Sequence, residues 1–172
     1  MLSLYACHSL IQMAIASHRT AVDVIDVVES LLNEYQSASV TVVGYSLGAA
    51  IALLDGVFLR LQLPPQIEIK VIGFGMPRVG NQNFASFVDA ILPNGVVHIN
   101  NMMDPVPVVP SIQSGYIHCA GEIHIQEVSA EWIACPGDDN PDPHCSAGTV
   151  TSLANATLTD HLGPYNNVMM RC

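Results

Sequence analysis

The sequence predicts an α/β fold, a parallel sheet with crossover helices. Three observations predict it. Segments of helical and strand character alternate between residues 24 and 99. The first strand segment, Val40 to Val43, is a short β-branched run of the kind that a buried strand uses. The pentapeptide Gly44-Tyr45-Ser46-Leu47-Gly48 then joins this strand to a helix.

Each element has its own signal. Val24, Val27, Val28, Leu31 and Leu32 recur at helical spacing, with Asp23, Asp26 and Glu29 between them, which predicts an amphipathic helix ending near Tyr35. Ala49 to Leu61 is rich in Ala and Leu and reads as a helix, stopped by Pro64-Pro65. Ile67 to Phe74 reads as a second strand, Asn83 to Leu92 as a helix, and Val96 to Ile99 as a third strand. The order helix, strand, helix, strand, helix, strand implies parallel pairing. After Asp104 the pattern gives way to Pro-rich loops, a strand at Glu122 to Val128, and a loop between two cysteines.

The 172 residues suffice for one domain with a core, and no repeat or linker divides them. Half are hydrophobic and 12% are charged. A net charge of −10 with only five Lys and Arg argues against nucleic acid, whose phosphates need clustered cations. It also argues against simple electrostatic docking on anionic lipid. Tyr35 to Leu54 carries no charge, but Gln36, Ser37, Ser39, Thr41 and Ser46 argue against a transmembrane segment. Met1 to Ala16 is also uncharged and ends in Ala14-Ile15-Ala16, yet it lacks a basic start and is broken by His8, Ser9 and Gln12, a poor signal peptide.

The cysteines are Cys7, Cys119, Cys135, Cys145 and Cys172. None is spaced as C-x-x-C, and no metal or cofactor is expected. Cys135 and Cys145 bracket a turn-rich segment that reads as a disulfide loop, with two free thiols as the alternative. Closing such a loop contributes ~3 kcal/mol on the chain-entropy model. The odd count leaves one cysteine unpaired, or paired outside the chain.

A serine hydroxyl is a weak nucleophile until a base takes its proton. G-x-S-x-G between a strand and a helix lifts the Ser46 oxygen above the sheet and points a helix N-terminus at the reacting carbonyl. The turn is expected to be so tight that side chains at both glycine positions would clash. The backbone N–H of Leu47 becomes an oxyanion donor. A purely structural Gly-Ser turn is the alternative.

The base must follow the serine in the chain order of this fold, which excludes His8 and His18. His98 falls in a strand, His118 and His124 flank a hairpin, and His144 lies in the cysteine loop. His161 follows a long irregular segment, where a catalytic loop histidine belongs; a surface histidine is the other reading. Asp104 follows the third strand, at the end where parallel sheets place functional groups. Asp89 reads as solvent-facing, and Asp138, Asp139 and Asp142 as turn formers. Spacing alone favours Asp104 over these without excluding them.

The residues resemble those of the class 3 lipase family, which includes fungal triacylglycerol lipases and feruloyl esterases. The matching runs are Gly44 to Ala50, Gly73-Phe74-Gly75-Met76-Pro77-Arg78-Val79-Gly80-Asn81, Asn101 with Asp104-Pro105-Val106-Pro107, Tyr116, His118 and Glu122, Cys135 with Cys145-Ser146, and Asp160-His161-Leu162 with Tyr165. They appear in order over about residues 20 to 172. The stretch through Arg78 is far more specific than the pentapeptide. The resemblance implies an α/β-hydrolase fold in which Ser46 is the nucleophile, Asp104 the acid and His161 the base. It implies a Cys135–Cys145 disulfide, a separate structural role for Asp160, no cofactor, an ester or lipid substrate met at a lipid–water interface, and an extracellular location.

Three positions depart from the family pattern: Tyr45, His98 and His124 stand where His, Arg and Trp are common. Complete relatives also carry early strands, a lid helix and the second oxyanion donor ahead of the helix at Val24. The expectation is therefore an α/β-hydrolase domain truncated at its N-terminus. Two readings follow. One is a serine carboxylic ester hydrolase working by acyl transfer. The other is a catalytically inactive fragment or remnant with a binding or structural role.

Overall fold

The computed structural model describes residues 22, 24–126 and 130–170. The amphipathic segment forms helix α1 over 24–34. It packs Ile25, Val28 and Leu32 on the core. Val24, Val27 and Leu31, expected on the buried face, are exposed. The core therefore meets α1 along a narrower stripe than the apolar pattern drew.

Strand β1 runs Ser39–Tyr45, and helix α2, Leu47–Gln62, begins two residues earlier than its Ala/Leu composition suggested. Strand β2 (Glu68–Phe74), helix α3 (Gln82–Ile91) and strand β3 (Val96–Asn101) follow as read from the sequence. The Asn81 side chain caps α3 by accepting from the Phe84 N–H at 3.1 Å. The segment read as one strand to Val128 is β4, Glu122–Ile125, and residues 127–129 lie outside the described ones. A further strand, β5 (Trp132–Cys135), was not anticipated. His124, expected to flank a hairpin, sits within β4 and is buried.

The strands form one sheet in the order β1-β2-β3-β4-β5. The first four are mutually parallel and β5 is antiparallel. One face carries α2 and the main core, with Leu53, Val71, Met76 and Val88 at its centre. The other face holds a smaller cluster of Ile99, Ile125 and Tyr165. Tyr45 is in register with Phe74, so the C-terminal ends of β1 and β2 lie side by side. Those ends, with Asn101 closing β3, are where an open parallel sheet presents its site.

Candidate active site

Ser46 is the single residue between β1 and α2, with φ 54° and ψ −127°. This is a strained conformation for a side-chain-bearing residue, costing on the order of 1–3 kcal/mol. It is held by the Ser46 N–H donating to Phe74 O at 2.8 Å and by Ala49 N–H donating to Ser46 O at 2.9 Å. Gly44 is required, because a Cβ there would fall on the Gly48 carbonyl. The expected clash at Gly48 does not occur: a Cβ there meets nothing within 4 Å. Gly48 presses its carbonyl on Gly44, while its own Cβ position faces open space among the described residues. Leu47 opens α2, so its N–H has no intrahelical acceptor and remains available beside Ser46.

His161 ends the short helix α4, Leu158–His161. Its Nε2 is 2.8 Å from Ser46 Oγ, and its Nδ1 is 2.8 Å from Asp104 Oδ2. Both His161 and Asp104 are buried, whereas Ser46 is half-buried. Asp104 Oδ1 accepts from the Val106 N–H at 2.8 Å. Gly75, at φ 55°, lies directly behind the pair: a Cβ there would sit 2.9 Å from both Asp104 Oδ2 and the His161 ring. The turns carrying Asp104 and His161 are tied together. Asp160 accepts from the Met103 N–H at 3.0 Å through its carboxylate, and from Asn101 Nδ2 at 2.9 Å through its carbonyl. This is the structural role that Asp160 was expected to have.

Two tyrosines complete the surroundings, and neither was given a role from sequence. The Tyr45 ring stacks on the His161 imidazole with centroids 4.9 Å apart, and its hydroxyl donates to the His161 carbonyl at 2.9 Å. Tyr165 is buried with its hydroxyl 3.4 Å from Asp104 Oδ2. Burial, then the Asp104 charge, pushes the Tyr165 phenol well above its ordinary value, so it stays a neutral donor. The available signal was position: Tyr45 stands inside the pentapeptide, and Tyr165 follows Asp160-His161-Leu162.

The remaining candidates lie elsewhere. His98 is a buried core histidine, its Nε2 3.1 Å from Cys119 O, and it stacks on His118. His144 is exposed and pairs with Asp142 at 2.8 Å. Asp89, expected to face solvent, is half-buried and accepts from the Ala120 N–H at 3.0 Å, because α3 lies against the turn entering β4. Asp139, expected to be a turn former, instead buries its carboxylate against Arg78 at 2.6 Å, supplying the charge that a buried guanidinium needs. Cys135 and Cys145 form a disulfide. Glu122 lies beside the two sulfurs, but sulfurs bonded to each other offer a metal no thiolate. Cys119 is a buried free thiol whose pKa burial pushes up to about 12. Cys7 and Cys172 lie outside the described residues.

A parallel sheet with a strained serine at a strand–helix turn, hydrogen-bonded in series to a histidine and a carboxylate, defines the α/β-hydrolase class. The sequence model of the family Lipase (class 3) matches residues 3–114. The chain belongs to the class 3 lipase family. It is 36% identical over 144 residues to the secreted mono- and diacylglycerol lipase MDL2 of Malassezia globosa, covering 83% of this chain and 45% of that protein. Among solved structures, lipase II from Rhizopus niveus superposes with a TM-score of 0.78 at 28% identity, covering 92% of this chain and 58% of that one. A triacylglycerol lipase described as having a serine protease triad at its catalytic centre superposes with a TM-score of 0.76 at 25% identity, covering 92% and 59%. The chain spans about half the length of the relatives it matches.

Proposed function

We propose that this chain carries the catalytic machinery of a lipid ester hydrolase, with Ser46 as nucleophile, His161 as base and Asp104 as acid. The observation that supports it most is the series of two 2.8 Å hydrogen bonds from Ser46 Oγ through His161 to Asp104. In the first step His161 Nε2 takes the Ser46 proton while Oγ bonds to the ester carbonyl carbon. The carbonyl oxygen becomes an oxyanion and receives the Leu47 N–H at the N-terminus of α2. Asp104 holds Nδ1 protonated and stabilises the imidazolium. Collapse of the intermediate breaks the bond to the alcohol, which leaves with the proton from Nε2. Water then adds to the acyl-enzyme by the same route, freeing the acid and Ser46.

The substrate class follows the relatives, which are named as mono- and diacylglycerol lipases and as secreted proteins. Glycerides met at a lipid–water interface, outside the cell, are therefore proposed here. The second reading, a chain that binds without turnover, is favoured by one observation: β1 pairs only with β2 among the described strands, and Val43 beside the nucleophile is 60% exposed. Hydrolysis of a p-nitrophenyl ester separates the two. Ser46→Ala is expected to abolish turnover, and unchanged turnover in that variant would sink the proposal.

A further inference from the structure

Arg78, in the Gly73-to-Asn81 stretch, and the cysteine loop have no part in the acyl-transfer steps above, and they meet at one buried ion pair. Arg78 donates from Nε to both oxygens of Asp139 at 2.9 Å and from Nη2 to Oδ1 at 2.6 Å. Asp139 lies inside the loop closed by Cys135 and Cys145. Its Oδ2 also accepts the His118 N–H at 2.7 Å. Burial pushes the Asp139 carboxyl up, but the Arg78 hydrogen bonds and the His118 contacts outweigh it, and the net direction is down. Asp139 is therefore an anion held by Arg78 Nε, Arg78 Nη2 and the His118 N–H.

The other ends of these side chains hold the segment that carries Asp104. Arg78 Nη1 donates to the carbonyls of Val108 and Pro110, at 2.5 and 2.9 Å, and the Arg78 backbone N–H donates to Val109 O at 3.0 Å. His118 Nε2 lies 2.9 Å from Pro107 O. Only an N–H can bond a carbonyl, so this nitrogen carries the proton. Four successive carbonyls, 107 to 110, are thus fixed from one side. The residue just before them, Val106, supplies the N–H on Asp104 Oδ1. A shift of residues 106–108 moves the donor that orients the acid, and the Asp104–His161 contact with it.

We infer that Arg78, His118 and Asp139 are positioning residues for Asp104, and that the Cys135–Cys145 bridge, by holding Asp139 against Arg78, sets the geometry of the acid. The inference rests on the proposed acyl-transfer role of Asp104. It gives the most specific motif of the sequence a task in the chemistry, although none of its side chains touches Ser46 or His161 in the contacts described above. A merely structural strut would leave the acid–base contact intact as long as the chain stays folded.

The test uses the full chain and reads the downfield proton resonance of His161 Nδ1–H, bound to Asp104, together with steady-state p-nitrophenyl ester hydrolysis. Asp139→Asn, and separately wild type with the bridge reduced, are compared with oxidised wild type below their unfolding temperatures, with folding checked by circular dichroism. The resonance is expected to broaden or vanish in both, with kcat falling about tenfold or more and KM within about twofold, since small misplacement of a catalytic group is costly. A folded Asp139→Asn or a folded reduced protein that keeps both the resonance and kcat would overturn the inference. Reduction covers the case in which the variant fails to fold. The resonance reports the Asp104–His161 contact without turnover, so an inactive wild type would count against the function and still leave this inference decided by the resonance.

Discussion

At Ser46 the backbone takes a φ of 54° that few side-chain-bearing residues adopt, and the histidine meets the hydroxyl there. The same crowding makes Gly75 as necessary as the three polar residues. Gly75→Ala would push a methyl to 2.9 Å from Asp104 Oδ2 and His161, at a φ of 55° that a side chain disfavours. The expected result is a fall in kcat/KM of about a hundredfold, read with a soluble ester, because the acid and base must separate to admit the methyl. Sequence singled out the proposed triad in two ways: the pentapeptide marked Ser46, while chain order left other carboxylates and a surface reading of His161 open, and the family resemblance pointed to Asp104 and His161. Asp139 was not singled out. Asp-Asp-Asn between prolines reads as a turn, and only the folded chain brings Arg78, 61 positions away, onto it. Asp89 was misread for the same reason, its acceptor role depending on the Ala120 N–H, 31 positions on.

The elements that the sequence placed best bury alternate residues, as β2 does, one helix face, as α3 does, or nearly every residue, as β3 does. Helix α3 and strands β2 and β3 each match within two residues. Helix α2 starts earlier than predicted because the second half of the pentapeptide is already its first turn. Strand β5 was missed because Trp132-Ile133-Ala134-Cys135, although apolar, is too short a run for periodicity to mark as a strand; its place is set by the ladder with β4. The helix α2 also carries the burial that holds the nucleophile's turn. Leu53, 2% exposed, sits at the centre of the main core. Leu53→Ala is expected to cost ~3 kcal/mol of stability, read as a lowered urea midpoint with an unchanged slope. A loss below about 1 kcal/mol would mean that α2 is not seated on the sheet as described.

For the molecule as a whole, the buried histidine pair sets the response to acid. Burial and the neighbouring His98 depress the His118 pKa from its ordinary 6.5 to about 3. Burial depresses His98 too, against the raising effect of Glu122. The unfolded chain therefore takes up protons below about pH 6.5 that the folded chain refuses. The resulting stability is fully present above that pH and is lost as pH falls from 6.5 toward 3 for His118, with His98 adding a loss in the same direction. Urea midpoints are expected to drop steeply between pH 6.5 and 5. His118→Asn should make the slope shallower, and an equally steep slope in that variant would place the acid sensitivity elsewhere. Sequence composition could not reveal this, because it counts histidines and does not show which two stack in the interior.

The central claim is that the Ser46 hydroxyl in this chain is activated by His161 and Asp104. Labelling with a fluorophosphonate probe, followed by peptide mass mapping, tests it most directly, since the probe reacts with serines whose proton a base can take. The account predicts stoichiometric labelling at Ser46 in the folded protein and none in His161→Ala. A folded protein left unlabelled at Ser46, or labelled equally without His161, would contradict it.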